Sequence, residues 1–415
     1  MRFEFGYDKT TEILEIPEKN VLKVLMPNPV EVGLTGSEEV RRAMQSPIGT
    51  ARLASLVKPG EKIVVITSDV TRPLPTAIVL PPVLDEIVAA GCSLDDVCVV
   101  FALGNHRKHS PEEKKKLLGE ANYQRVKCLD LDTNDCVPLG FTRQGTPVEI
   151  FRPVVEADKV IALGNVEYHY FAGYSGGAKA IMPGVSTHNA IQANHSMMVR
   201  DTAIAGKIEG NPVRQDIDSV TEFVRLDYIV NVVLDEKKQI IKAFAGHYIE
   251  AHRAACAFLD GLYKIQLNAQ ADIVVVSAGG YPKDINLYQA QKALDNARHA
   301  CKDGGTIILV ASCKEGLGEE VFERWMTQSK SPADMVMEIE RHFELGGHKA
   351  AAIGMVLENK EIFLVSDMPD SFVRQIFLKP YQNVQAAFDA ALEKAGPEAA
   401  CCIMPYGGST LPTIV

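Results

Sequence analysis

Along most of the chain, short aliphatic and β-branched runs alternate with stretches of helical periodicity. The clearest buried strands are predicted at Lys62–Thr67, Val97–Ala102, Lys159–Leu163, Tyr228–Leu234, Ile273–Ser277, Thr306–Ala311 and Glu361–Val365. This rhythm predicts an α/β protein with mainly parallel sheets. Several strands run directly into loops rich in Gly, Asn, His, Asp or Lys, and open parallel sheets bind ligands beyond the carboxyl ends of their strands. The opening MRFEFGYDKTTEILEI alternates apolar and polar residues and predicts a first strand. In KHSPEEKKKLLGE, Ser110 and Glu113 have capping-box spacing, which predicts a solvated helix. The polar QLNAQAD stretch suggests a boundary at residues 266–271. The expected organisation is an N-terminal α/β domain over 1–268 that carries the chemistry, then a Rossmann-like C-terminal domain over 269–400. The tail 401–415, CCIMPYGGSTLPTIV, is expected to return to the first domain.

Composition narrows the classes. The chain has 415 residues, enough for two domains with real cores. Its net charge of −10 argues against a broad nucleic-acid surface and leaves room only for a local basic pocket. The N-terminus lacks the basic region and apolar core of a secretory signal. Apolar runs stop well short of the roughly 20 residues that span a bilayer. A soluble, cytoplasmic protein is expected, with no membrane partner. The nine cysteines include no C-x-x-C pair, so neither a disulfide framework nor a structural zinc site is expected.

Candidate chemistry lies in five segments. In SDVTRP, Arg72 offers a planar fork of donors to a carboxylate or phosphate and Asp69 can orient it; a surface ion pair is the plain alternative. In LGNHRKH, His106 lies just past a strand, where a proton acceptor or donor is useful, and His109 reads as structural. The third segment, GNVEYHYFAGYSGGAKAIMPG, holds His169, Lys179 and the glycines 173, 176, 177 and 184, which allow close backbone approach to a ligand. Ala178 and Ala180 break the Walker A pattern, and G-x-G-x-x-G is absent. A lysine in such an apolar loop is either a desolvated nucleophile or a phosphate-binding ammonium. In THNAIQANH, His188 and His195 lie two turns apart on one predicted helical face, too far apart for joint ligation of one ion. In PKDINLYQAQK, Gln289 and Lys292 share a helical face that is able to close over a ligand.

These segments, in this order over roughly residues 60–300, resemble the nickel-dependent lactate racemase family. The resemblance implies two α/β domains with the active site in the interdomain cleft. It implies a nickel-pincer nucleotide, pyridinium-3-thioamide-5-thiocarboxylic acid mononucleotide with Ni(II), covalently attached through Lys179, with His195 as the protein's metal ligand. His106 and His169 match the catalytic pair, and Arg72, Gln289 and Lys292 the substrate binders. Asp69, Tyr288, Gly173, Ser175, Gly176 and Gly177 fall to the cofactor, the glycine-rich backbone holding its phosphate. The substrate class implied is a small 2-hydroxy acid, and the partners are enzymes of cofactor synthesis and nickel insertion. The sequence departs from the family in one respect: a tryptophan is expected late in the second domain, and the chain's single tryptophan is Trp325, in FERWMTQ on a predicted helix. Two other readings of the same residues are an NAD-dependent 2-hydroxyacid dehydrogenase and a non-catalytic nucleotide- or anion-binding protein.

Overall fold

The N-terminal residues do not join the strands that follow them in sequence. In the computed structural model, which describes residues 1–235 and 237–414, β1 (Arg2–Tyr7) and β2 (Thr10–Glu15) form an antiparallel hairpin rather than one strand. Its alternating apolar side chains, Phe5, Leu14 and Ile16, are buried against Ile273, Ile308, Phe363 and Phe388, far along the chain. The next strand, β3 (Val21–Val24), runs parallel to residues 401–404. Residues 1–29 therefore belong with residues from 261 onward in one unit, and 30–260 form the other.

The central unit is built on β4 (Ile63–Ser68), β5 (Val97–Ala102), β6 (Lys127–Asp130), β9 (Lys159–Asn165), β12 (Tyr228–Leu234) and β13 (Ile240–Gly246), in the order β13-β12-β9-β4-β5-β6. All neighbours are parallel except β12 and β13. Ile63 to Thr67 are buried without interruption, as expected of a strand covered on both faces. Two small hairpins sit beside the sheet: β7 (Cys136–Phe141) with β8 (Pro147–Phe151), and β10 (Tyr168–His169) with β11 (Gly173–Tyr174). The helix Pro111–Leu118 carries the complete capping box of Ser110 and Glu113.

The other unit contains β14 (Lys264–Leu267), β15 (Ala271–Ser277), β16 (Cys301–Val310), β17 (Glu361–Val365), β18 (Lys379–Tyr381), β19 (Cys401–Met404) and β20 (Leu411–Ile414). Its main sheet, β18-β17-β16-β15-β19-β3, is wholly parallel. This is the doubly wound arrangement expected of a Rossmann-like domain. The predicted boundaries are corrected here. The tail lies in the unit formed by residues 1–29 and 261 onward: β19 pairs with β15 and β3, and β20 with β14, so it meets the two ends of the predicted first domain rather than its centre. QLNAQAD is the end of β14 and its turn into β15, so the polar stretch lies inside a unit rather than between two. Among the described residues no helix is long and apolar enough to cross a membrane.

Candidate active site

In the central sheet the chain leaves β4 for β5 and β6 on one side, then returns to β9 on the other. The loops after β4 and β9 thus diverge at a topological switch point, the usual ligand position in such sheets. The predicted segments containing Arg72, His106, His169 and Lys179 follow β4, β5 and β9, three neighbouring strands.

Behind β4, the buried Asp69 bonds His106 Nδ1, while its other oxygen accepts from the Thr71 hydroxyl at 2.7 Å and the Thr71 N–H at 3.1 Å. Burial pushes the Asp69 carboxyl up, but His106, Thr71 and the charge of Arg72 outweigh it and hold the group below its usual range. Both Asp69 oxygens thus have partners, one of them the His106 ring. A carboxylate on Nδ1 fixes the ring and leaves the Nε2 lone pair as proton acceptor. His109 has a different task. Its Nδ1–H donates to Asp130 at 2.7 Å and its Nε2 accepts the Val70 N–H at 3.1 Å, which ties the Asp69 loop to the end of β6. Arg72 itself is exposed.

His169 is held through the same nitrogen in the opposite role. Its Nδ1 accepts the Ala172 N–H at 3.3 Å across the β10–β11 turn, so the neutral ring carries its hydrogen on Nε2. The ring stacks on Tyr170 and meets the edge of Phe171, and Phe171 in turn packs on His195 with centroids 4.9 Å apart.

Two N–H groups of the glycine-rich loop are taken up by partners within the protein. The Ser175 N–H donates to the Glu167 carbonyl and the Gly177 N–H to Asn231 Oδ1, both at 2.9 Å. The Ser175 hydroxyl donates to the Asn165 carbonyl at 2.7 Å and accepts the Glu167 N–H at 2.9 Å. Gly173, Gly176 and Gly177 have φ of +76°, +78° and +61°, and a Cβ there would overlap the Lys207 carbonyl, Asn231 or His252. The glycines thus let the loop pack on protein and present Lys179. The Lys179 amine is drawn well below the usual lysine range, first by burial, then by the charges of Arg214 and Arg72, with Glu167 opposing. At neutral pH this favours the uncharged, nucleophilic form.

On the helix His188–His195, capped by Thr187, the two histidines part company. His188 is exposed in the first turn, with Nδ1 3.3 Å from Asn105 Oδ1. His195 is buried, and its Nδ1–H donates to Asn194 Oδ1 at 2.9 Å. Asn194 Nδ2 donates to Asp216 at 2.8 Å, and Asp216 also accepts from Thr142 and, at 2.6 Å, Thr146. This relay puts the ring's hydrogen on Nδ1 and its lone pair on Nε2, the kind of outer-shell support that a metal-binding histidine uses. Among the described residues no three His, Cys, Asp or Glu side chains cluster as a metal site, so a metal on His195 would need further donors from a bound group.

Tyr288, Gln289 and Lys292 lie in the other unit, on the helix Leu287–Ala297 after β15. Gln289 and Lys292 are exposed, as their shared face predicts. The Tyr288 ring packs on Phe322 and lies under the Lys349 ammonium, 3.9 Å from its centroid. Trp325 is buried in the same unit, where its Nε1–H donates to Glu344 at 2.8 Å and its ring covers Gly347.

Sequence reading did not single out Arg214, His252, Asn211, Asn194 or Asp216, although these residues shape the site. Fully buried Arg214 donates to the carbonyls of Ala172 and Tyr174, and Asn211 Nδ2 donates to the Phe171 carbonyl at 2.9 Å. Buried His252 donates to the Ser175 carbonyl at 2.8 Å. The one available signal was Asn211 before Pro212, which marks a helix start but not what that helix holds.

The chain matches two family models, the lactate racemase N-terminal domain over residues 7–206 and the lactate racemase C-terminal domain over residues 266–411. It is 35% identical to a lactate racemase of Thermoanaerobacterium thermosaccharolyticum, covering 98% of each chain. It is 31% identical to one of Lactiplantibacillus plantarum, covering 97% of this chain and 98% of that one. The structure of the lactate racemase apoprotein from T. thermosaccharolyticum superposes with a TM-score of 0.90 at 33% identity, over 99% of this chain and 100% of that one. A Thermotoga maritima protein at 18% identity, with a TM-score of 0.63 over 92% of this chain and 100% of that one, shares the fold alone. With both family models matched in order and relatives aligned along nearly its whole length, the chain belongs to the lactate racemase family, enzymes of the isomerase class.

Proposed function

We propose that the protein racemises a small 2-hydroxy acid at C2, with lactate, the substrate in its relatives' names, as the first to test. The observation that carries this reading is the opposite setting of two rings. Asp69 on Nδ1 leaves His106 a lone pair at Nε2, whereas the Ala172 N–H on Nδ1 leaves His169 a proton there. With the carboxylate and C2–H of a 2-hydroxy acid held in place, the hydroxyls of its two enantiomers point to opposite sides. One imidazole takes the hydroxyl proton of one enantiomer, the other returns a proton on the opposite side, and the roles exchange in the reverse direction. Arg72 holds the carboxylate bidentately while the planar 2-keto acid turns, with Gln289 and Lys292 as further substrate binders.

The residues present fit a nickel-pincer nucleotide. Lys179 offers a desolvated amine for covalent attachment, and His195 offers a single oriented imidazole to Ni(II), whose remaining soft donors come from the group itself. When bound, that group supplies the acceptor that takes and returns hydride at C2. The chain supplies attachment, orientation and proton transfer. Cofactor-building and nickel-inserting enzymes are the partners this reading requires.

Protein co-produced with the cofactor-building enzymes should gain mass corresponding to one adduct, and Lys179→Ala should abolish both the adduct and racemisation in a chiral assay across a panel of 2-hydroxy acids. An unmodified, fully active protein would overturn the covalent cofactor, and turnover that needs free NAD would overturn racemisation.

A further inference from the structure

Arg214 is a fully buried cation close to the lysine that the reading above makes the attachment point. It lies on the helix Pro212–Ser219, which packs against the short turn Gly177–Ala180 that carries Lys179. Its Nε–H donates to the Ala172 carbonyl at 3.2 Å, in the β10–β11 turn, and an Nη2–H donates to the Tyr174 carbonyl, in β11, which leads into the glycine loop. Nη1 lies 3.6 Å from Asp218 and has no hydrogen-bond partner among the described residues. Burial lowers the guanidinium from its ordinary value and Asp218 opposes that fall; a guanidinium keeps its charge under conditions in which a lysine does not.

We propose that Arg214 is a positioning residue that keeps the Lys179 amine an uncharged nucleophile, by fixing a buried positive charge behind the loop that presents it. The groups that bear electrostatically on Lys179 are Arg214, Arg72 and Glu167, with neutral His252 beneath the same loop. Arg72 is exposed, so water screens its charge. Arg214 is not screened in this way, and the carbonyls of 172 and 174 hold it against the loop. Glu167 works in the opposite sense. The proposal rests on Lys179 being the attachment point, but its test does not require the cofactor.

The test is acetylation of the full chain, free of cofactor, by N-hydroxysuccinimidyl acetate across a pH series, with Lys179 occupancy read by peptide mass spectrometry. The amine attacks the acyl carbon, N-hydroxysuccinimide leaves, and the amine's proton passes to buffer. In the unsubstituted chain, half-maximal labelling of Lys179 should fall at a lower pH than that of exposed surface lysines. Arg214→Gln should move that midpoint up, lowering the labelling rate at neutral pH roughly tenfold. Asp218→Asn removes the counter-charge and should move the midpoint further down. Opposite movements support the proposal. If Arg214→Gln does not fold, Asp218→Asn alone decides, because a midpoint that stays in place overturns the proposal. So does a folded Arg214→Gln chain with the unsubstituted profile. Loss of the mass adduct in Lys179→Ala bears on attachment alone, so the two readings fail separately.

Discussion

The two units wind parallel strands in related orders, yet their buried polar groups are used differently. At the strand ends of the outer unit they secure backbone. Buried Asp284 accepts the N–H groups of Asp8 at 2.7 Å and Ser312 at 3.1 Å, which pins the hairpin tip to the ends of β15 and β16. In the central unit they orient rings: Asp69 holds His106, and Asp216 through Asn194 holds His195. A carboxylate on backbone makes a rigid loop, while a carboxylate on an imidazole fixes which nitrogen reacts. The same chemical group holds backbone at the strand ends of one sheet and imidazole rings at those of the other.

The comparison is tested most severely at the two histidines. His106→Ala and His169→Ala should each lower racemisation by about 10²–10⁴-fold, while acid-quenched holoenzyme still yields bound 2-keto acid from one enantiomer, a different one in each variant. Equal yields from both enantiomers in either variant would show that the rings do not divide the work. Next, Asn194→Ala should weaken nickel retention on desalting by about 10–100-fold and leave the Lys179 adduct intact by mass; full retention would make the relay merely structural.

In the outer unit, Gly347→Ala would place a methyl group 2.5 Å from the Trp325 ring. Overpacking there should cost about 1–3 kcal/mol, read as a lower denaturant midpoint. Lys179→Met has the opposite sign. Because the folded amine lies below its unfolded value, the unfolded chain binds the extra proton between those two values, and stability of the unsubstituted apoprotein rises with pH. The methionine variant should therefore be the more stable near pH 7, with a gain that fades toward about pH 10.4. A gain independent of pH would assign the effect to packing instead. The smallest effect belongs to exposed His188, whose replacement by Ala should change stability by less than about 0.5 kcal/mol.

Local chemistry made much of this legible in advance. Val97–Ala102, Tyr228–Leu234 and Glu361–Val365 form strands at the predicted bounds, because an unbroken β-branched or aliphatic run is what a two-sided buried strand requires. Thr187 and Ser110 cap their helices because a hydroxyl at that position meets orphan N–H groups. The packing of the glycine loop was less legible. Glycine permits close approach, but the sequence does not say whether the approaching partner is a ligand or, as at Gly173 and Gly177, Lys207 and His252.

The sequence by itself determined the strand rhythm, the family and the residue types able to do chemistry, since those depend on side-chain identity and near neighbours. Only the tertiary structure decided which nitrogen of each histidine is held, that Arg214 lies buried behind Lys179, and that residues 1–29 complete the far sheet. Those outcomes depend on contacts between residues distant in sequence, such as Phe5 with Phe363 or Arg214 with Tyr174, and no local pattern encodes them.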